Sequence, residues 1–222
     1  IPVTTFRHIF ELNDATKRYV EKSATQSILP NQYRNPISTN DSTACLTIKN
    51  TLAVTFEEEF NTWLKFGAMV YAMNECQRHT AAIGQVEDIV HLNQMPTANA
   101  FHNVLASPIH LMPDSIFGER WTNNTYVGGA LYKHRGQYVH YGFDGNVCLL
   151  GYKIGEFQVN GHVDAGFRLG KDSLTIAATA FFRNETPDYY LQHYRSNHYE
   201  WDNNFQKALR LRVSGEVAYP TQ

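Results

Sequence analysis

From Phe157 to Leu169 the side chains alternate in character along the chain. Phe157, Val159, Gly161, Val163, Ala165, Phe167 and Leu169 are apolar or small, while Gln158, Asn160, His162, Asp164 and Arg168 between them are polar and only Gly166 departs. Period two sends successive side chains to opposite faces of a strand, whereas a helix would mix both sets on one face. The pattern returns at residues 139–149 and 174–183. It returns again at 209–219, where Arg210, Arg212, Ser214 and Glu216 alternate with Leu209, Leu211, Val213, Gly215 and Val217. Residues 44–56 follow it with Lys49 and threonines on the polar side and Asn50 out of place. Weaker versions occupy residues 4–12, where His8 shares the apolar face, and 64–74 and 125–134, which are apolar or small on both faces. The sum is about eight strands, each near the ~10 residues that a tilted membrane-crossing strand needs.

The connections come in two lengths. Residues 57–63, 135–137 and 170–172 make short turns, the last two rich in turn formers. Long loops are expected near 14–43, 77–124 and 184–204. Counting strands in order puts these short turns at one end of the sheet and the long loops at the other. Only 151–156, short but on the long-loop side, departs from that division. Tight turns on one side and long loops on the other are how outer-membrane barrels are built. Structureless stretches of this length are out of place in a compact soluble domain. The second loop carries Pro96, Pro108 and Pro113, and has room to fold inward or to hold a short helix.

Alternation alone does not separate a soluble β-sandwich from a membrane barrel, and here composition helps. Mean hydropathy is −0.40, and no run approaches the ~18 apolar residues of a spanning helix. A barrel escapes that test because only every second residue meets lipid. Aromatic residues reach 13 % and stand near expected strand ends: Trp63, Phe66, Trp121, Tyr126, Tyr138, Tyr152, Phe157, Phe182 and Tyr219. Rings at that level suit a headgroup girdle. Gly145, Gly161, Gly215, Ala165, Ala178 and Ala180 lie on the apolar faces. Fluid lipid tolerates such small residues, but a sandwich core at crystal density would be left with gaps. A formal net charge of −2 gives no reason to expect a nucleic-acid partner. Cys45, Cys76 and Cys148 are too few and too scattered for a disulfide framework or a zinc motif. The chain opens at Ile1 within an expected strand, without an initiator Met or export signal, and closes just after another. It reads as a single β-barrel segment, 1–222, of a longer protein.

The stretch Arg195-Ser-Asn-His-Tyr-Glu-Trp-Asp-Asn-Asn-Phe205, following Phe182-Arg-Asn-Glu-Thr-Pro-Asp-Tyr-Tyr190, resembles the "putative porin" family of Bacteroidetes-type outer membranes. Phe60-Asn-Thr-Trp-Leu-Lys-Phe-Gly67 is similar to its turn and strand after a long loop. Residues 128–170, with Gly136-Gln-Tyr, Gly151-Tyr-Lys-Ile-Gly-Glu-Phe157 and Gly161, are similar to its consecutive short-turn strands. The resemblance spans nearly the whole chain, and its motifs are structural. It implies an outer-membrane location and a pore-like role.

No chemical motif competes with that reading. Ten histidines are present, but none has the tight spacing of a metal site, and no cofactor is expected. There is no nucleophile elbow, P-loop or dinucleotide fingerprint. Asp144 and Asp164, on adjacent expected strands, could approach each other as a hydrolase pair would, although a charge-balanced pore lining accounts for them better. Arg210 and Arg212, with Arg168 and Arg183, could form a wall favouring anions unless Asp164 and Glu216 cancel it. The third loop gathers Tyr189, Tyr190, Tyr194, Tyr199 and Trp201, which would either stack on a sugar or partner, or pack the loop onto the barrel rim.

The expectation is therefore an all-β, antiparallel, up-and-down transmembrane barrel, incomplete in this chain, that acts as a porin and not as an enzyme. Lys49, His140, Asp144, His162, Asp164, Arg168, Arg210, Arg212 and Glu216 would line the pore. Outer-membrane lipid and small polar solutes would be the partners, with a homo-oligomer left open. The alternatives are a non-channel barrel (anchor, adhesin or receptor) and a soluble carbohydrate-binding β-sandwich.

Overall fold

The structure, a computed structural model, describes residues 4–21, 39–58, 66–82, 119–136, 138–169 and 172–219. Strands β1 (Thr4–Glu21), β2 (Thr39–Phe56), β3 (Gly67–Ala82), β4 (Glu119–Lys133), β5 (Val139–Gly151), β6 (Phe157–Leu169), β7 (Asp172–Glu185) and β10 (Ala208–Ala218) form one eight-stranded sheet. Between β7 and β10 the chain makes a single helical turn, α1 (Tyr189–Gln192), and a small hairpin of β8 (His193–Arg195) and β9 (Glu200–Asp202). Apart from that insertion, neighbours in the sheet are neighbours in sequence and every pair is antiparallel. This is the expected up-and-down all-β arrangement, curled into half a barrel. Among the described residues, β1 and β10 each pair along one edge only.

Directly opposed residues share a face of a sheet, so the register sorts the side chains. One row runs Phe6, Val54, Val70, Gly129, Gly145, Val159, Phe182, Leu211. The adjacent row, one residue along, runs Arg7, Ala53, Tyr71, Gly128, Asn146, Gln158, Arg183, Arg210 and belongs to the opposite face. Burial is inverted relative to a soluble protein. Leu52, Val70, Leu131, Phe143 and Val159 are 64, 55, 47, 47 and 49 % exposed, although all lie within the sheet. Among the described residues the buried apolar side chains are only Ala53, Tyr126 and Cys148, while Glu75, His79, Asn124, Asn197 and His198 are buried too. Among the described residues no second sheet covers the apolar face: β8 and β9 are tied to the opposite one, as described below.

Four strands outrun their expected bounds. β1 continues to Glu21, β2 starts at Thr39, β3 runs to Ala82 and β4 starts at Glu119, all inside stretches expected as loop. The 18 residues of β1 and of β2 exceed the ~9–11 that a tilted strand needs to cross hydrocarbon. β5, β6, β7 and β10 have 13, 13, 14 and 11 residues. The sheet thus has a tall side, β1–β4, and a low side. The third long loop is also more ordered than expected, since it holds α1 and the β8–β9 hairpin. The helix and inward fold considered for the second loop fall on residues 83–118, outside the described residues.

At the top of β5 one extra residue enters the ladder. Tyr126 pairs with Cys148 and Thr125 with Leu150, leaving Leu149 as the bulged residue. Leu149 and Leu150 are both exposed as a result, at 48 and 64 %. The turn that follows is bracketed by Gly151 and Gly155 at φ 112 and 80°, a region that non-glycine residues enter only with strain. A Cβ on Gly151 would also run into the Asn123 carbonyl.

Candidate functional site: the polar face and the loop across it

All nine expected lining residues fall on the face opposite the apolar rows. Lys49 sits in the row Glu11, Lys49, Glu75, Asn124. Asp144 is opposite Asn160, His162 opposite Gly142 and Thr179, and Arg168 opposite Ser173. His140, Asp164, Ala177 and Glu216 form one row, Arg183 faces Arg210, and Arg212 faces Phe181. The register corrects one expectation. Asp144 and Asp164 stand four residues apart along adjacent strands, about 13 Å at the usual strand rise, and each faces a different partner. They do not form the carboxylate pair of a hydrolase.

The charges on this face are largely internally matched. Glu185 lies 3.7 Å from Arg183 and 3.2 Å from Arg210, so it bridges two cations that the ladder sets opposite each other. Arg183 also donates to Asn160, 3.2 Å, which donates to Asp144, 2.8 Å. The expected wall of arginines is thus broken up by carboxylates. Among the described residues Arg212 makes no ion pair; it lines a shallow polar recess with His162, Thr179 and Ser214. Asn146 donates to the Tyr71 hydroxyl, 3.0 Å, across the intervening Gly128, where a Cβ would collide with the Tyr71 ring.

Higher on the same face stands a buried ionic cluster whose centre the sequence reading did not select. Glu75, 4 % exposed, lies 2.8 Å from Lys153 and 3.4 Å from Lys49. Asn124 donates to Glu75, 3.3 Å, and accepts from the Lys153 backbone, 2.9 Å. This ties the β5–β6 turn to the tall side. Glu75 was detectable in principle: continuing β3 past Asn74 puts Glu75, Gln77 and His79 on the face of Tyr71 and Met73.

The β7–β10 loop lies over this upper part. Tyr189 stacks on His79 with ring centroids 4.0 Å apart, and Tyr190 meets the same ring edge-on. The Tyr190 hydroxyl donates towards the carbonyls of Ala44 and Thr80 and accepts from the Thr80 amide at 3.2 Å. Burial pushes this phenol up to about 12, with the Thr80 backbone contact opposing the shift. The Asn197 amide donates to Asp41, 2.7 Å, and its side chain donates to Thr39, 2.8 Å. His198 contacts Glu21 at 3.1 Å and Thr39 at 2.9 Å. Tyr194 stacks on Trp201, 4.6 Å, Tyr199 lies 6.4 Å from the same ring, and the Trp201 indole donates to the Leu191 carbonyl, 3.0 Å. Of the five loop aromatics, Tyr189 and Tyr190 face the sheet, and Tyr194, Tyr199 and Trp201 face one another.

Among the described residues no group of three or more His, Cys, Asp or Glu could hold a metal ion. All three cysteines are free. No curated protein and no solved structure matches the chain. A family model described as "Putative porin" matches residues 1–222. With its half-barrel of antiparallel strands, apolar on one face and polar on the other, the chain belongs to that porin family.

Proposed function

We propose that this chain forms part of the wall of a water-filled barrel in the bacterial outer membrane, through which small polar solutes diffuse passively. The observation that carries the reading is the inverted burial: leucine, valine and phenylalanine exposed on one face, and carboxylates, amides and cations gathered on the other. Hydrocarbon is the medium that accepts the first face, and water accepts the second. Outer-membrane lipid and the solute are accordingly its partners. An open strand edge has no place in hydrocarbon, because each unpaired N–H and C=O there costs several kcal/mol. On this reading the edges of β1 and β10 left unpaired among the described residues are closed by further strands, and the working pore is larger than this sheet.

The lining residues act on the solute by position and charge, with no bond made or broken. Glu185 between Arg183 and Arg210 keeps charges of both signs along the wall. Such a wall discriminates by size more than by sign. Planar-bilayer recording of the full-length protein tests the proposal. Stepwise conductance with weak ion selectivity is expected; a bilayer that stays silent would leave a barrel that anchors and does not conduct.

A further inference from the structure

The β7–β10 loop leaves the low side of the sheet at Glu185 and rejoins it at Ala208, on strands that are direct neighbours. Nothing in the strand pairing requires it to travel. Its middle is nevertheless fastened to the far side of the same sheet, on β1, β2 and β3, with β4, β5 and β6 lying between in the strand order. The crossing is made on the polar face. Tyr189 stacks on His79, and His79 stands in the row of Cys45 and Arg120, on the side of Glu75 and Lys49.

Three separate ties hold the loop there. The Tyr190 hydroxyl pins it to the paired backbones of Ala44 and Thr80. Asn197 joins it to Asp41 and Thr39, and His198 joins it to Glu21 and Thr39. Asn197 and His198 are 1 and 2 % exposed, so these ties are shielded from water competition. Loops that merely connect strands lie loosely over a surface. This one is buttressed at its far end by buried polar groups that bond to β1 and β2.

We propose that the β7–β10 loop is the size-limiting constriction of the pore, a bar laid across the lumen at the upper rim and latched by Asn197 and His198. The proposal rests on the porin reading above and names the element that restricts the solute. The latch holds the bar in place, and the exclusion limit follows from the opening left beside it.

Unit conductance and a swelling assay with neutral sugars of graded size test this on three full-length proteins in lipid. These are the natural chain, a variant with residues 189–202 replaced by a short Gly-Ser link, and Asn197→Ala/His198→Ala with the loop kept. Removing the bar should raise unit conductance about twofold or more and admit sugars that the natural chain excludes, because bore governs passage. The latch variant should move both readouts the same way by a smaller factor, and it carries the test alone if the shortened chain does not assemble. Unchanged conductance and unchanged size limit in the assembled variants would overturn the constriction and leave the porin reading standing. Silence from the natural chain with current from the shortened one would mean that the bar closes the pore completely, in support of the proposal. Silence from every chain would remove the porin reading and the constriction with it.

Discussion

The lower belt of the sheet and its upper rim are built from continuous strands, yet they present different chemistry to the outside. In the belt the outward positions of β2 are Phe56, Val54 and Leu52, and those of β3 are Ala68, Val70 and Ala72. Further along the same strands the outward positions become Ala44, Ser42, Arg78 and Thr80, and on β4 they become Asn123, Trp121 and Glu119. The strands do not end where the apolar series ends. On the porin reading they pass there out of hydrocarbon into water, with Trp121, whose indole donates to Glu119, near the crossing. Ladder hydrogen bonds hold both regions, but outward side chains are apolar in the belt and, Trp121 aside, polar or small in the rim. Glu75 with its two lysines stands close to the change.

The difference between belt and rim can be broken by charge. Val163→Arg places a cation in the apolar row of β6, where a midplane arginine costs ~2–4 kcal/mol. Assembled protein recovered from outer membranes should fall severely. Thr16→Arg, outward on the rim part of β1, should leave that yield near the natural level. Equal loss at both sites would mean that the rim meets the same medium as the belt.

The seam comes next in size. Glu75→Ala leaves Lys49 and Lys153 without their shared carboxylate. Breaking a fully buried ion pair costs about 3–5 kcal/mol, and partial exposure of both lysines reduces that here. The expected result is a clear drop in the temperature at which the barrel loses its resistance to detergent. An unchanged temperature would show that the cluster contributes nothing to joining the β5–β6 turn to the tall side.

A smaller effect belongs to the rim. Tyr190→Phe removes one hydroxyl with three backbone contacts, worth about 0.5–1.5 kcal/mol for a typical net hydrogen bond. Protease nicking within 186–207 should quicken while the belt stays protected. Because burial raises the Tyr190 phenol from the ordinary value near 10 to about 12, its contribution is complete below pH 10 and is lost as pH rises towards 12. Alkaline nicking of the natural loop should steepen across that interval, and Tyr190→Phe should flatten the step. The smallest change is expected for Asp164→Arg on the polar face, next to Val163 in sequence: assembly near normal, with selectivity displaced towards anions.

The contrast between belt and rim also explains what could be read from the sequence. Alternation is visible where a strand has unlike faces, as along Phe157–Leu169, so β5, β6, β7 and β10 were located within a few residues. It fades where both faces are polar. Residues 13–21 of β1 and 39–43 of β2 have no apolar series to reveal them, and they read as loop although both are fully paired. The residues of the polar face were legible for the same reason, since each alternates with a residue of the apolar face. The face of Glu75 follows from continuing β3, but its pairing with Lys153 and Asn124 does not, because it depends on a turn folding back to the top of β3, a contact with no local pattern. The order in the third loop escaped for a related reason. Its anchors Glu21, Thr39 and Asp41 lie more than 150 residues away from Asn197 and His198, and no periodicity records that distance.

The claim beneath all of this is that the apolar face of the sheet touches lipid. Single cysteines placed in turn from 157 to 169 along β6, with all native cysteines replaced, can carry spin labels in the reconstituted full-length protein. Collision with oxygen and with a water-soluble nickel complex then reports the medium at each position. Odd positions should respond to oxygen and even positions to nickel, with the alternation running the length of the strand. Odd positions shielded from both reagents, as they would be between two packed layers, would contradict the account.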